Sequence, residues 1–244
     1  MSRVIALVSG AEARDVDTDL PYLSRALGDR GIITEIVDWD NASIDWSRYA
    51  MAIVRSPWDY HRRYPEFLAW LDSVSAATNL QNSADIIRWN TNKEYLAELV
   101  EAQIGVIPTT FVRSAEDLVT ITNEGRLERD IVVKPTISAG SNNTERHEES
   151  PVKAAAHLGF LLDAGLVAIV QPYQRFIDER GETGMVYFNG QLSHSFRKGA
   201  ILATGENVKN GIFTVEEITP RTASAQEREL GEAAAQQRLS ADET

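Results

Sequence analysis

The chain has 244 residues, 43% of them hydrophobic, which is enough to bury a core as one large domain or two smaller ones. Its 24 Lys and Arg against 36 Asp and Glu give a net charge of -12, which argues against nucleic acid or an anionic membrane as the main partner. Cysteine is absent, which excludes disulfides and thiolate chemistry and fits a reducing compartment. The five-residue apolar run after Arg3 is too short for a signal peptide or a membrane span, so we expect a cytoplasmic protein.

Three β-branched apolar runs indicate strands in the first part of the chain, at residues 3–9, 31–39 and 49–56. Leu20, Leu23 and Leu27 recur at helical spacing between the first two runs, and residues 65–76 give a further helix. This alternation predicts a parallel sheet with helices on its faces. We therefore expect residues 1–90 to form an N-terminal α/β domain.

Polar residues flank the first predicted helix, which is expected to stop at Gly31. Asp17, Thr18 or Asp19 is placed to cap its start. Capping is a stronger interpretation of these three residues than catalysis.

The remainder, residues 91–244, begins with two predicted helices separated by a short strand. The first is opened by Asn90 or Thr91, carries Lys93 and is closed by Gly105. The second is capped by Ser114.

The pattern then changes to strands with one intervening helix, at residues 151–165. The strand segments are "RDIVVKP", "LVAIVQPY", "TGMVYFNGQLSHSFRKG" and "GIFTVEEITP". Asn189-Gly190 predicts a tight hairpin within the third segment. This half is expected to be α+β with a mostly antiparallel sheet, followed by an alanine-rich helical tail.

The stretch "VVKPTISAGSNNT" puts Lys134 and Pro135 at the end of a strand, followed by small and amide residues. We call residues 136–144 the lid loop. Its backbone N–H groups can form an anion-binding nest, and the lysine supplies a positive charge. Neither GxxxxGK[ST] nor GxGxxG is present, so a P-loop or Rossmann site is unsupported. Taken alone the stretch is ambiguous, because lysines beside turns are usually solvated.

The motifs around this stretch follow the order found in the ATP-grasp superfamily, which the chain resembles from residue 3 to about 220. The nearest subgroup includes glutathione-synthetase-like proteins and the cyclo-ligase of the D-cycloserine pathway, which closes O-ureido-D-serine. The matching segments are an N-x-x-K helix at 90–96, a strand and phosphate lid at 130–144, an adenine hinge at 169–173, a ribose carboxylate in "GET" and a basic strand at 190–199.

This resemblance implies an ATP site and a catalytic cation, Arg197, that steadies the γ-phosphate or acyl phosphate. The implied nucleotide-binding residues are Lys93, Lys134, Ser138, Gly140, Ser141, Gln171, Tyr173, Glu182 and Lys198. Because Arg197 and Lys198 are adjacent on a strand, their side chains point to opposite faces and at most one reaches the site.

Each assignment has a structural alternative. Lys93 is otherwise an exposed helix lysine, Gln171 and Tyr173 are strand-end packing residues, and Glu182 is an ordinary carboxylate at a hairpin start. His194 has no partner at metal-ligand or triad spacing, so a structural role is favoured over a base.

"RSPWDYH" follows the third strand, where open α/β sheets place their ligand loops. In one interpretation, Arg55 clamps a substrate carboxylate, Asp59 receives an amine and Trp58 or Tyr60 walls the pocket. A turn formed by Pro57 and Asp59 beside half-buried aromatics explains the same residues equally well.

The resemblance also implies Mg²⁺ held by an Asp or Glu on one strand and a Glu-x-Asn pair on the next, beyond the tail helix. No metal ligand can be assigned: "GEN" at 205–207 lies in an unsuitable loop, and Glu216 and Glu217 have no asparagine two residues later. The C-terminal metal-binding strands are therefore expected to be missing, either from a fragment, which we favour, or from a protein that binds nucleotide without turnover.

The function implied by the resemblance is ATP-dependent ligation of a small amino-acid-like carboxylate to an amine-type nitrogen, by amide formation or ring closure. The alternatives are a small-molecule kinase on the same fold and a non-catalytic nucleotide-binding module. ATP and Mg²⁺ are the expected cofactors. The sequence does not decide whether the chain forms a homo-oligomer.

Overall fold

The computed structural model describes residues 4–201 and 217–241, which divide into two compact units. The first unit contains the described residues up to Asn92 together with Ser138–Gly140, and the second contains Lys93–Ile137 and the described residues from Ser141 onward. No helix in these ranges is long and apolar enough to cross a membrane. The domain boundary expected at residues 90/91 stays a prediction.

The first unit is built on a four-stranded parallel sheet in the order β2-β1-β3-β4, which confirms the predicted parallel sheet. Its strands are β1 (Val4–Ser9), β2 (Ile33–Asp38), β3 (Met51–Ser56) and β4 (Leu80–Gln81). Its helices are α1 (Leu20–Gly28), α2 (Tyr64–Ala77) and α3 (Ala84–Thr91).

The core of this unit combines the central strand with a cluster of aromatic rings. Ala6 and Val8 of β1 are fully buried, as expected for a central parallel strand covered on both faces. Trp39 meets Phe67 edge-on, with 5.3 Å between ring centroids, and Phe67 stacks on Trp70. These contacts pack α2 against the sheet, where β1 and β3 contribute residues to the same buried cluster.

The described residues of the second unit form two sheets, and the strand pairs within them are antiparallel. The first has the order β5-β8-β6-β7, with strands β5 (Thr110–Val112), β6 (Ile131–Pro135), β7 (Glu145–His147) and β8 (Ala168–Pro172). The second has the order β11-β10-β9, with β9 (Glu182–Phe188), β10 (Gln191–Lys198) and β11 (Ile218–Pro220). The helices are α4 (Tyr95–Glu101), α5 (Ala115–Asn123), α6 (Pro151–Asp163), α7 (Phe176–Arg180) and α8 (Ala225–Ala241).

Local sequence signals account for much of this unit. Ser114 caps α5 in a reciprocal capping box with Asp117, as predicted. Asn189 and Gly190 adopt positive φ angles of 50° and 73°, which confirms the hairpin turn between β9 and β10. The apolar faces of α5 and α6 cover the first sheet, and Leu158 of α6 is completely buried there.

The prediction of one helix from Asn90 or Thr91 to Gly105 was wrong. Thr91 is the last residue of α3, and Asn92 is extended, so Lys93 lies in a break before α4 and not on a helix. The Lys93 backbone N–H donates to the Thr136 carbonyl at 2.9 Å, a long-range hydrogen bond that replaces an intrahelical one. Local propensity gives no sign of such a bond.

Two further elements of the second unit were missed. The short helix α7 lies between β8 and β9, so the strands are not separated by one helix alone. β7 follows the lid loop and pairs with β6. The part of the predicted strand at 211–216 lies outside the described residues.

Gly181 provides a test of this fold. It joins α7 to β9 with φ 65° and ψ -170°, a region essentially restricted to glycine, and a Cβ there would lie 2.2 Å from the Lys198 carbonyl oxygen. We expect Gly181→Ala to lower the free energy of unfolding by roughly 2 kcal/mol or more. Urea denaturation followed by far-UV circular dichroism measures this change.

Gly159→Ala is the matched control. Gly159 lies within α6, and a Cβ there would meet nothing within 4 Å. Alanine should stabilise the helix by about 0.5 to 1 kcal/mol. Equal unfolding midpoints for the Gly181→Ala variant and the unmodified chain would contradict the strained geometry at Gly181.

Candidate functional site

Two lysines of the second unit lie beside the start of the lid loop. Lys134 is half-buried near the end of β6, between the buried residues Val133 and Pro135. The Lys93 side chain reaches the same place, because its Nζ donates to the Thr136 carbonyl at 3.3 Å in addition to the backbone bond. The predicted convergence of the two lysines is therefore present within this unit.

The electrostatics of this pair favour an anionic ligand. Burial, and then the positive charge of Lys134, lowers the pKa of Lys93 to about 8. Burial also lowers the pKa of Lys134, while the carboxylate of Glu182 acts in the opposite direction. The two ammonium groups are thus desolvated, and a bound phosphate would stabilise the charged form of both lysines.

The strand register decides which basic side chain shares a face with Glu182. Lys198 is directly opposite Glu182 in the β9–β10 pairing, whereas Arg197 is opposite Thr183. Because neighbouring strand residues alternate, Lys198 lies on the Glu182 face and Arg197 on the other. Arg197 donates through Nε to the Arg180 carbonyl at 3.0 Å. Its catalytic role stays a prediction, and the register favours Lys198 as the cation beside Glu182.

Three residues of the lid loop have left-handed backbone conformations. Gly140 and Ser141 both have a φ of 59°, and Asn143 has a φ of 51°. A nest needs right- and left-handed residues in alternation, whereas Gly140 and Ser141 are consecutive left-handed residues, so the anion-binding nest stays a prediction. Ser138 and Gly140 group with the first unit, where the Tyr60 hydroxyl donates to the Ser138 carbonyl at 3.2 Å.

The expected adenine hinge at the end of β8 is held by protein contacts. Gln171 is buried and donates through Nε2 to the Thr109 hydroxyl at 2.8 Å. The Tyr173 N–H donates to the Asp130 carbonyl at 2.9 Å. Both positions therefore have the structural contacts of the packing alternative, and their role in adenine binding stays a prediction.

A charged network supports the Tyr173 side chain. The Arg146 guanidinium lies 3.6 Å from its ring centroid, and the Tyr173 hydroxyl donates to Asp178; burial and this bond raise the pKa of Tyr173 to about 12. Arg146 also forms a two-point bond to Asp130, at 2.8 and 2.9 Å, which holds the pKa of that carboxyl below its usual range. Sequence reasoning missed this network, because its members are far apart in sequence and lack a motif.

In the first unit, Arg55 leaves the end of β3 and binds two carboxylates. Its Nη2 donates to Asp17 at 3.0 Å and to Asp19 at 2.6 Å. Asp19 occupies the N-cap position of α1, as predicted, but it makes no side-chain cap bond. Asp17 accepts from the Asp19 N–H. Arg55 competes for both carboxylates, and only Asp17 is buried.

Trp58 and Asp59 follow β3, as predicted, but they separate into different environments. Asp59 accepts from Trp39 Nε1 at 3.0 Å and from Arg63 at 3.1 Å, so a substrate amine would have to compete with these donors. Trp58 lines a cavity of about 190 Å³ within the first unit, together with Tyr60, Asn82 and Asn90. The substrate roles of Arg55, Trp58 and Asp59 stay predictions.

The described residues fit a nucleotide better than they fit Mg²⁺. Among the described residues, Glu182 is the carboxylate that acts on Lys134, and Lys198 is opposite it in the β9–β10 pairing. Magnesium requires oxygen ligands in a rigid arrangement, and this donor set does not supply it. The segments at 205–207 and Glu216 lie outside the described residues, and Glu217 contacts Arg197.

Comparison with known proteins gives three related findings. The family model for the N-terminal domain of D-cycloserine synthetase DcsG matches residues 5–82. The cycloserine biosynthesis protein DcsG of Streptomyces lavendulae is 36% identical over 236 residues, which cover 95% of this chain and 78% of that protein. The crystal structure of D-cycloserine synthetase DcsG matches with a TM-score of 0.88 and 33% identity, covering 97% of this chain and 81% of that chain.

A more distant structure shares the fold. The ATP-grasp ligase PsnB, complexed with a phosphomimetic variant of its minimal precursor, Mg and ADP, matches with a TM-score of 0.61 and 14% identity, covering 97% of this chain and 83% of that chain. The fold and site thus define an ATP-grasp ligase, an ATP-dependent enzyme that forms carbon–nitrogen bonds. Within that class, the chain belongs to the DcsG family, and the resemblance read from its sequence motifs is confirmed.

The lowered pKa of Lys93 makes stability depend on pH. Between about pH 8 and the ordinary lysine value of 10.5, the unfolded chain holds a proton that the folded chain has lost, so stability rises with pH in this window. Below about pH 8 the lysine is charged in both the folded and the unfolded chain, so the free energy of unfolding is lowered by the full cost of burying that charge. We expect Lys93→Met to be more stable than the unmodified chain at pH 7.5, with the advantage shrinking toward pH 9.5.

Urea denaturation of both proteins at pH 7.5, 8.5 and 9.5 measures this difference. Lys153→Met, at an exposed position of α6, is the control and should show a difference that does not vary with pH. A pH-independent difference for Lys93→Met would mean that its ammonium group is not desolvated.

Proposed function

We propose that this chain uses ATP to activate a small amino-acid-like carboxylate as an acyl phosphate and then joins that carbon to a nitrogen nucleophile. The observation that carries the proposal is the meeting of Lys93 and Lys134 beside the lid loop, where both pKa values are lowered and an anion would be bound favourably. ATP with Mg²⁺ is the proposed nucleotide, and the cytoplasm the proposed compartment.

The proposed reaction has two displacement steps. A substrate carboxylate oxygen attacks the γ-phosphorus, the bond to the β–γ bridging oxygen breaks, and ADP leaves. A substrate nitrogen then attacks the acyl carbon, the carbon–oxygen bond to phosphate breaks, inorganic phosphate leaves, and the nitrogen loses its proton to solvent. Lys93 and Lys134 would neutralise charge on the transferring oxygens, and lid-loop N–H groups would bind them.

Glu182 and Lys198 would complete the nucleotide site. Glu182 acts on Lys134 and shares its face of the hairpin with Lys198. In this arrangement Glu182 accepts from the ribose hydroxyls and Lys198 reaches a phosphate oxygen. Arg197, on the opposite face, would influence the reaction through the position of β10, which makes it the weaker candidate for phosphate contact.

We propose ring closure of a serine-derived substrate as the specific reaction. The support is the 36% identity to a protein of cycloserine biosynthesis across 95% of the chain. Arg55 is proposed to bind the charged end of that substrate. A substrate carboxylate would replace the exposed Asp19, while the buried Asp17 keeps the guanidinium oriented.

Neutralising Lys134 tests the nucleotide site. We expect Lys134→Met to weaken ATP binding by roughly 10- to 100-fold, because each charged hydrogen bond to phosphate is worth about 1.5 to 3 kcal/mol. Isothermal titration calorimetry with ATP and Mg²⁺ measures the affinity, and Lys153→Met is the matched lysine control. Unchanged affinity in a folded Lys134→Met variant would remove the basis of the proposed function.

The reaction itself is tested with O-ureido-D-serine, ATP and Mg²⁺. Ring closure predicts equal amounts of ADP, phosphate and cyclic product, and added hydroxylamine should trap the acyl phosphate as a hydroxamate. Coupled ADP detection and mass spectrometry measure these species. Arg55→Lys should raise KM more than it lowers kcat, because a lysine lacks the two-pronged contact.

The outcomes separate the alternatives. A stable phosphorylated product without hydroxamate formation would indicate a kinase. Thermal stabilisation by ATP without substrate-dependent ADP release would indicate a nucleotide-binding module. Either result would overturn the proposed ligation.

A further inference from the structure

Three side chains with metal-binding groups come together just after the lid loop, whose other end follows Lys134. Glu145 and His147 are two residues apart on β7, so their side chains lie on the same face of the strand, and His157 comes from α6. In residues 4–201 and 217–241, this is the group of His, Asp and Glu side chains whose ligand atoms all lie within 4.8 Å of one another. Two of the four histidines of the chain are thus in contact.

The three ligand atoms form a triangle of suitable size for a transition-metal ion. His147 Nε2 lies 3.1 Å from His157 Nδ1, and Glu145 Oε2 lies 3.9 Å and 4.0 Å from these two atoms. The point equidistant from all three is about 2.1 Å from each, within the usual ~2.0–2.2 Å of zinc–nitrogen and zinc–oxygen bonds. Tetrahedral coordination at this bond length separates ligand atoms by about 3.4 Å, so the carboxylate oxygen would move closer by about half an ångström and the two nitrogens would move slightly apart.

The surroundings fit an ion-binding role. His147 and His157 are only 4% and 8% exposed, while Glu145 is exposed, so the cluster opens to water on the carboxylate side. Burial lowers the pKa of both histidines, which keeps the imidazoles in the neutral form that binds metals. A hydrogen bond from His157 to the Asn143 carbonyl orients its ring, as outer contacts do for metal-binding histidines.

A hydrogen bond between the two imidazoles does not explain why the Glu145 carboxylate lies beside them. The two imidazoles can share one N–H···N bond, but a carboxylate oxygen at 3.9 Å and 4.0 Å is too distant to bond with either ring. Lys153 is the neighbouring cation and opposes added positive charge, and the Glu145 carboxylate offsets it. Two imidazole nitrogens and one carboxylate suit Zn²⁺, in contrast to the all-oxygen ligands of Mg²⁺.

We propose that Glu145, His147 and His157 form a Zn²⁺ site that joins β7 to α6 where the lid loop ends. A water molecule would fill the fourth position, and the proton between the two imidazoles would move to the other nitrogen of its own ring, leaving both ligand nitrogens free for the ion. The site does not depend on the proposed use of ATP. Its position next to Asn143 and Thr144 means that a bound ion would fix the C-terminal end of the lid loop.

Calorimetric titration of ZnCl₂ into the EDTA-treated chain, dialysed free of chelator and without nucleotide or Mg²⁺, tests the site. We expect saturation near one ion per chain. Affinity should fall at least tenfold in Glu145→Gln and roughly 100-fold or more in His147→Gln and His157→Gln, because each loses a direct ligand. His194→Gln is the matched control, since His194 is exposed on β10, and it should bind like the unmodified chain.

Cobalt substitution gives a second readout. Co²⁺ in the same site should produce the intense visible absorption of a four-coordinate ion, and Zn²⁺ should remove it by displacement. Circular dichroism identifies any variant that fails to fold, and Glu145→Gln, at an exposed position, keeps the test decisive if a histidine variant unfolds. Binding far below one ion per chain, or binding that survives all three substitutions in folded proteins, would overturn the proposal and indicate adventitious surface binding.

Discussion

The second unit depends on holding two like charges partly out of water. The ammonium group of Lys93 lies next to Lys134, and burial weakens the solvent screening that would separate their effects. The protein offsets this repulsion with the Thr136 carbonyl and the Glu182 carboxylate. Burial penalises both charged groups, so a bound anion would lower this free-energy cost. That cost is the physical basis of the proposed nucleotide site.

The location of Lys93 shows where local sequence patterns stop being informative. The strands, α5 and the β9–β10 hairpin follow from side-chain period, a capping box and an Asn-Gly turn, and each signal lies within a few residues. The break between α3 and α4 has a different cause. A backbone bond from Lys93 to Thr136 spans more than forty residues, and a short helix rich in good helix formers conceals it. The helix predicted around Lys93 was wrong, while the role that the family motif implies for this lysine stays a prediction.

The candidate site divides in the same way. Lys93, Lys134 and Glu182 could be predicted because the motif order fixes their places along the chain. The partners of Arg55 could not, because Asp17 and Asp19 also read as helix caps and only the folded sheet brings Arg55 to them. The network of Asp130, Arg146 and Tyr173 could not be predicted either, because only the folded chain brings these residues together. Register, a long-range property, also distinguishes Lys198 from Arg197.

The lid loop connects these observations, because each end of it adjoins a different set of ligand-binding groups. Lys134 lies at its start, and Glu145 at its end, next to the two histidines. The left-handed residues between them give the loop a defined shape, but ordering it still costs conformational entropy. A ligand that fixes one end lowers the cost of ordering for a ligand at the other, and thermodynamic linkage makes the effect reciprocal. The same short segment would therefore couple the proposed anion site to the proposed cation site without a rearrangement of the sheets.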